Sequence, residues 1–394
     1  MSVLVHATVR RRAGESVMPA AMFLGSFAWS FVFISLPFHI HRISTYDPAT
    51  TLRWTGWIIG VSSLATVATA PVWGHWAERG NPRRLYVIVQ MLQGVSFLGV
   101  AVARTLPELF LARLILGVMG ASSTFAFMLS GRADDPKRVT REIAAVQSAM
   151  TIGQVIGPLV GAIAAARVGF RVSFVLGGLV LFGCAALVEW GMPVVRPARP
   201  GGRRGQQVGP GEVAAVGLLV LGASTQVFFL TSILPQVLPP LGIADAQAVE
   251  MGGVLMFVSS AGAALGALAT PRLLELGSPR RIVPALLVGS SLCLALLALV
   301  TSFWLYGLLR FLQVLSIAPV FPLAVTRIVQ RAGGQVIGLI NSARIGASFI
   351  GPVMATSVLS WSTPGVLYAL LAAIGVACVP MARARVAVAS RSVA

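Results

Sequence analysis

The sequence predicts an all-α membrane protein of twelve transmembrane helices in two pseudo-symmetric six-helix bundles, and three observations carry that reading. The first is composition: 56% of the 394 residues are hydrophobic and only 11% are charged, too little charge to cover a soluble globule of this length. The second is a repeat. Glu78-Arg79-Gly80-Asn81-Pro82-Arg83-Arg84 returns as Glu275-Leu276-Gly277-Ser278-Pro279-Arg280-Arg281, a shared E-x-G-x-P-R-R displaced by 197 positions. Leu36-Pro37 returns as Leu234-Pro235, Arg113 as Arg310, and Ser148-Ala149 with Ile156-Gly157-Pro158 as Ser342-Ala343 with Ile350-Gly351-Pro352. Matches in one order, at offsets of 194 to 198, argue for two copies of one structural unit. The third is charge placement: the termini and even-numbered loops hold 22 of the 30 Lys and Arg, the odd-numbered loops five. Basic residues collect on the cytoplasmic side of membrane proteins, so both termini are expected there.

A membrane helix takes about 20 mostly apolar residues. Helices 1 to 6 are expected at 17–38, 54–73, 85–103, 107–129, 143–166 and 172–190, within an N-terminal bundle covering 1–192. Helices 7 to 12 are expected at 213–235, 251–271, 282–301, 303–325, 335–358 and 364–382, within a C-terminal bundle covering 213–394. Helix 1 follows Arg10 to Arg12 as a secretory leader would, but its length and its counterpart in the second half predict a retained helix. Trp54, Trp73, Trp76, Trp190 and Trp361 fall near span ends, where indole rings favour the interface. Between the bundles, 193–212 combines proline, glycine and like charges and reads as a flexible cytoplasmic linker. Cys184, Cys293 and Cys378 sit singly in apolar runs and match no metal-ligand spacing, so neither metal nor cofactor is expected. The net charge of +18 follows the loops and needs no nucleic acid.

Helices in lipid associate through close backbone approach at small residues four apart. Gly56 and Gly60 supply this on helix 2, Gly153, Gly157 and Gly161 on helix 5, Gly262 and Gly266 on helix 8, and Gly338, Ser342 and Gly346 on helix 11. These helices hold equivalent places in the two copies and are predicted to form the seam along which the halves slide. The alternative is that each stripe packs within its own bundle. Pro158 bends helix 5 by removing a backbone donor.

Three stretches resemble signatures of the major facilitator superfamily, more narrowly of its twelve-helix drug:proton antiporter branch. Gly74-His75-Trp76-Ala77-Glu78-Arg79-Gly80-Asn81-Pro82-Arg83-Arg84 is similar to the loop signature G-x-L-A-D-R-x-G-R-K, departing at Trp76, Glu78, Asn81 and Pro82. Arg113-Leu114-Ile115-Leu116-Gly117 resembles R-x-x-Q-G of helix 4, with leucine in place of glutamine. Gly153-Gln154-Val155-Ile156-Gly157-Pro158-Leu159-Val160-Gly161-Ala162 resembles G-x-x-x-G-P-x-x-G-G, the helix 5 mark of exporters. The resemblance implies proton-coupled efflux of drugs by alternating access, a central cavity walled by helices 1, 4, 7 and 10, and a part for Arg113 in coupling. In the loops, Gly74, Glu78, Arg79, Arg83 and Arg84, with Glu275, Arg280 and Arg281 in the second copy, can pair with each other and with helix ends as a cytoplasmic latch. Setting topology is the plainer use of these arginines.

Arg113, Arg310 and Arg344 lie within spans. An arginine at bilayer depth costs at least about 2.5 kcal/mol, so each needs a partner. Glu108, five residues before Arg113, is roughly 140° around the helix and off its face. No Asp or Glu occupies the middle of a span. Carbonyls, Gln313 beside Arg310, Asn341 beside Arg344, or an anionic substrate are the partners left. With Trp29, Phe33 and Phe228, these side chains are expected to line the substrate cavity, aromatic faces suiting amphipathic solutes. Glu108, His39 and His41 remain as titratable candidates for carrying a proton. The expected protein is a monomeric inner (plasma) membrane carrier of small molecules, working with protons and lipid and not an enzyme, with an organic-anion carrier or a non-transporting receptor as alternatives.

Overall fold

The computed structural model describes residues 2–130, 136–192, 209–326 and 334–383, and among them there is helix and no strand. The proposed linker falls almost wholly outside the described residues. Among the described residues, eleven segments are long and apolar enough to cross a membrane. Helices 1 to 6 are Ser16–Ile43, Pro48–Ala77, Pro82–Val102, Leu106–Ser130, Arg141–Val168 and Phe170–Gly191. Helices 7 to 10 are Pro210–Val237, Asp245–Leu268, Pro279–Leu297 and Phe303–Thr326, and helix 12 is Pro364–Arg383. The place of helix 11 is taken by Gly334–Leu359, 26 helical residues. The starts follow local chemistry. Asp47, Asn81 and Thr105 each accept a backbone N–H of the first turn, and a proline sits in that turn, where no intrahelical donor is needed.

The four helices expected to wall the cavity are all interrupted, where continuous spans are expected from hydropathy alone. Helix 1 breaks after Phe33, helix 4 after Val118, helix 7 after Phe228 and helix 10 after Ile317. In helices 1 and 7 the break immediately precedes the repeated Leu-Pro, and both copies mend it in one way. Ser35 Oγ donates to the Val32 carbonyl at 3.0 Å and Ser232 Oγ to the Phe229 carbonyl at 2.8 Å, the two serines standing 197 residues apart. In helix 4 the freed carbonyls are taken by helices 2 and 3: Gly117 O by Thr66, Val118 O by Thr69 and Trp73, and Met119 O by Gln93.

Apolar packing divides by membrane end. At the end carrying the even-numbered loops there are two separate cores. One is built only from the N-terminal half, with Met18, Trp73, Tyr86, Phe125 and Val188, and the other only from the C-terminal half, with Leu219, Leu287, Leu323 and Ile340. At the odd-loop end one core crosses the halves, joining Ile34 and Ala162 to Phe229, Leu234, Leu255 and Ala355. Cross-bundle contacts cluster there too. Helix 2 meets helix 11, with Trp57 on Phe349 at 5.4 Å between ring centroids and Arg53 Nε donating to Ser360 Oγ at 3.1 Å. Helix 5 meets helix 8, with Ala162 and the Pro158 carbonyl against Gly253. The Gln236 amide meets His41 Nε2 at 2.7 Å. The bundles therefore close on each other at the odd-loop end and part toward the even-loop end, leaving a cleft.

Helices 2, 5, 8 and 11 do form this seam, but most of the glycine stripes do not face it. Gly56 and Gly60 press on Thr356, Pro352 and Phe349 across the seam. Gly153, Gly157 and Gly161 instead receive helix 1 at Phe23, Phe27, Ser30 and Phe31, and Gly262 and Gly266 receive helix 10 at Phe311 and Leu315. A Cβ placed on Gly346 would come no nearer than 3.9 Å to Leu221 of its own bundle, and one on Gly338 would meet nothing within 4 Å. The reason is periodic: helix 5 turns its GxxxG face to helix 1, while the separate face bearing Pro158 and Ala162 meets helix 8.

A methyl at Gly161 would collide with the Phe31 carbonyl. Gly161→Ala is expected to cost about 1–3 kcal/mol by overpacking, read as a lowered thermal midpoint in detergent. Gly338→Ala should hold or slightly raise it, since alanine is the better helix former by about 1 kcal/mol. Equal effects would contradict the assigned faces.

Candidate functional site

The intramembrane arginines solve their burial in two ways. Arg113 is 3% exposed. It donates through Nε to the Ile58 carbonyl at 3.3 Å and through Nη2 to that of Ile59 at 3.1 Å, with Trp29 and Phe33 each 5.8 Å from its guanidinium. Arg310 is fully buried, 4.9 Å over Phe229. Its Nη1 donates to the Gln226 carbonyl at 2.9 Å and to Gln313 Oε1, its Nη2 to the Val227 carbonyl at 2.6 Å. Those carbonyls belong to the last turn before the break in helix 7, so the cation completes a helix C-terminus. Gln313 continues the network to Ser290 Oγ at 2.9 Å, Ser290 to Gln226 Oε1 at 2.7 Å, and Gln226 Nε2 to the Leu371 carbonyl at 3.0 Å.

Charge-assisted hydrogen bonds contribute about 1.5–3 kcal/mol each, so two or three offset the insertion cost of an arginine without any ligand. The placement of Arg113, Arg310 and Gln313 on the cavity wall is thus corrected: all three are buried in the protein and braced by carbonyls. Trp29 is half-buried and points to helix 3, its Nε1 3.4 Å from Gln93 Oε1 and its ring edge-on to Phe97. Phe33 lies under Arg113, and half-buried Phe228 has its backbone against Gly351.

Arg344 is different. It is exposed in the middle of helix 11, stacked 4.9 Å over Phe321 of helix 10, and Asn341 is exposed on the preceding turn. Helical phase aims them. Arg344 is seven residues before Gly351, which packs on Thr225, Phe228 and Phe229 of helix 7. Asn341 is eleven residues before Pro352, which meets Gly56 of helix 2. At about 100° per residue both spacings return to nearly the same direction. The pair therefore points between helices 7 and 2, two to three turns toward the even-loop end, where the bundles have parted. On the facing bundle, Gln154 and Gln147 of helix 5 are exposed, four and eleven residues before Pro158, which faces helix 8. These glutamines and Phe321 were not singled out from the sequence; the phase of helix 5 relative to its glycine stripe was the signal that could have found them.

Among the described side chains of the expected latch, the ion pair that forms reaches outside it. Arg83 pairs with Glu189 of helix 6, its Nη2 3.3 Å from Oε1, and it also donates to the Glu189 carbonyl. Arg79, Arg84, Glu275, Arg280 and Arg281 are exposed, Gly74 has open space where a Cβ would be, and the side chain of Glu78 lies outside the described residues. Arg83 can reach Glu189 because helix 3 begins where helix 6 ends. Among the proton-carrier candidates, Glu108 is an exposed cap, its Oε2 accepting the Arg104 N–H at 2.8 Å. His39 is buried edge-on to Phe170 and Phe174, and both its ring nitrogens lack hydrogen-bond partners among the described residues. Exposed His41 bridges to Gln236 across the seam. None of the three faces the cleft. A separate hollow, about 410 Å³ between Thr50, Arg53, Trp54, Trp57 and Phe110, lies at the odd-loop end of helices 2 and 4, away from it.

Comparison with known proteins agrees with this architecture. The chain is 25% identical over 350 residues to the multidrug resistance protein MdtG of Enterobacter lignolyticus (strain SCF1), covering 85% of this chain and 83% of that protein. Among solved structures, it superposes with a TM-score of 0.73 and 16% identity on a bacterial homolog of the human lysosomal transporter Spinster in an inward-facing and occupied conformation, over 94% of both chains. It superposes equally, at 0.73 and 13% identity, on the nucleoside transporter NupG, over 94% of this chain and 100% of that one. Residues 20–275 match the profile of the Major Facilitator Superfamily, and with two bundles, paired helix breaks and a cleft between them, the chain belongs to that superfamily of membrane transporters.

Proposed function

We propose that this protein is a secondary active exporter of small amphipathic compounds, driven by proton entry and working by alternating access. The observation that carries the reading is the division of the apolar cores, joined at one membrane end and separate at the other. Two bundles that share a core at one end only can tilt about that seam. The excess of arginine in the even-numbered loops sets the open end toward the cytoplasm, with both termini there. The structure then represents the loading state of an exporter. The MdtG relatives support drug-like solutes, and the helix 4 and helix 5 signatures support proton coupling. Arg113 and Arg310 serve in this reading as braces of the discontinuous helices, keeping each bundle rigid while it moves.

Solute uptake into inside-out vesicles tests the proposal. A panel of cationic, neutral and anionic amphipaths should include compounds accumulated several-fold over vesicles lacking the protein, with accumulation lost when the pH gradient is collapsed. No movement of any solute would favour a receptor; movement indifferent to the gradient would remove proton coupling alone. Arg310→Gln is expected to lower the thermal midpoint, because carbonyls at the helix 7 break lose their donors at about 1–3 kcal/mol each, while the half-saturating solute concentration of the folded remainder stays within about twofold. A wild-type midpoint with weakened solute affinity would instead place Arg310 in the binding site.

A further inference from the structure

Taking the exporter reading as its basis, we propose that the transported compounds are organic anions, whose carboxylate, sulfonate or phosphonate group docks on Arg344 and Asn341 in the cleft. Three observations lead there. Arg344 is exposed at mid-span and has no hydrogen bond or ion pair with the described residues, whereas Arg113 and Arg310 are committed to carbonyls. The guanidinium carbon lies 4.9 Å over the Phe321 ring, so one face is covered and the N–H donors along the edge remain available. A planar fork stacked on an aromatic ring is pre-oriented for bidentate acceptance of an oxyanion. Asn341 stands about 60° away on the preceding turn and adds an amide donor.

Among the described residues at mid-span, those opposite Arg344 supply no competing charge: Gln147 and Gln154 are neutral, and no carboxylate lies in the middle of a span. A cation between low-dielectric walls focuses its field on the cleft, attracting anions and repelling cations. The aromatic side chains Phe23 and Phe27 of helix 1, partly exposed near helix 5, offer an apolar surface for the other end of an amphipath.

The test uses two probes of nearly equal shape, naphthalene-1-sulfonate and neutral naphthalene-1-sulfonamide, with the purified full chain and with inside-out vesicles. The sulfonate is expected to bind at least tenfold more tightly than the sulfonamide. Arg344→Gln should abolish that preference by weakening sulfonate binding at least tenfold without shifting the thermal midpoint, and Arg344→Lys should restore part of it. Equal sulfonate affinity in Arg344→Gln and wild type overturns the inference, as does export of a cationic amphipath unchanged by Arg344→Gln with no sulfonate binding; in that last case the exporter reading survives. Arg344-dependent binding of the sulfonate with no transport of any solute would keep the anion site and sink the exporter reading.

Discussion

Hydrocarbon offers no hydrogen-bond partner, so every carbonyl released where a membrane helix breaks has to be caught by another part of the protein. Helices 1, 4, 7 and 10 break here, and the side chains that catch their carbonyls set the interior of both bundles. Ser35 and Ser232 mend helices 1 and 7 locally. Thr66, Thr69, Trp73 and Gln93 tie the broken helix 4 to helices 2 and 3. Arg310 ties the broken helix 7 to helix 10 and, through Gln313, to helix 9. Each of these repairs lies within one bundle and none spans the two. The same chemistry that lets the helices bend therefore makes each half a body of its own.

What remains between the bodies is a seam of a different kind, made of close packing and a few polar bridges. Gly56 and Gly60 admit helix 11, Gly253 admits helix 5, and Trp57 rests on Phe349. In the proposed tilting of the bundles, contacts of this sort would be given up together, because interfaces of packed side chains are bistable rather than continuously deformable. At the even-loop end, the separate cores leave room for solvent and for Arg344. Of the three arginines, Arg344 alone has no hydrogen-bond partner among the described residues, because its helix stands at the seam while the other two stand inside bundles.

The repeat and the helix positions made the fold legible from the sequence, since hydropathy and duplication act on whole segments. The helix breaks were half legible. Leu36-Pro37 and Leu234-Pro235 marked two of them and Pro319 follows the one at Ile317, but nothing in hydropathy marks Val118, where the freed carbonyls are taken by donors from helices 2 and 3. The site was legible only in part, because the three intramembrane arginines are alike in sequence. Arg113 and Arg310 differ from Arg344 by the presence of carbonyls at the right distance, which is a tertiary fact. Three of the four glycine stripes face elsewhere for a related reason: GxxxG reports a close approach without saying to which neighbour, which on helix 2 is helix 11 across the seam but on helix 5 is helix 1. The pairing of Arg83 with Glu189 was not legible, because it depends on helices 3 and 6 lying side by side.

The central claim is that two rigid halves rock about the odd-loop seam, so that one end opens as the other closes. Pulsed electron paramagnetic resonance between spin labels at exposed positions tests it most directly, pairing Tyr46 with Trp361 at the odd-loop end and His75 with Leu339 at the even-loop end, with the three native cysteines replaced. Gly56→Val supplies the perturbation, since a side chain there would collide with Thr356 across the seam. The account predicts that this variant lengthens the Tyr46–Trp361 distance and shortens the His75–Leu339 distance. If both distances lengthen together, or the even-loop distance stays fixed while the odd-loop end opens, the halves do not rock as units and the account is contradicted.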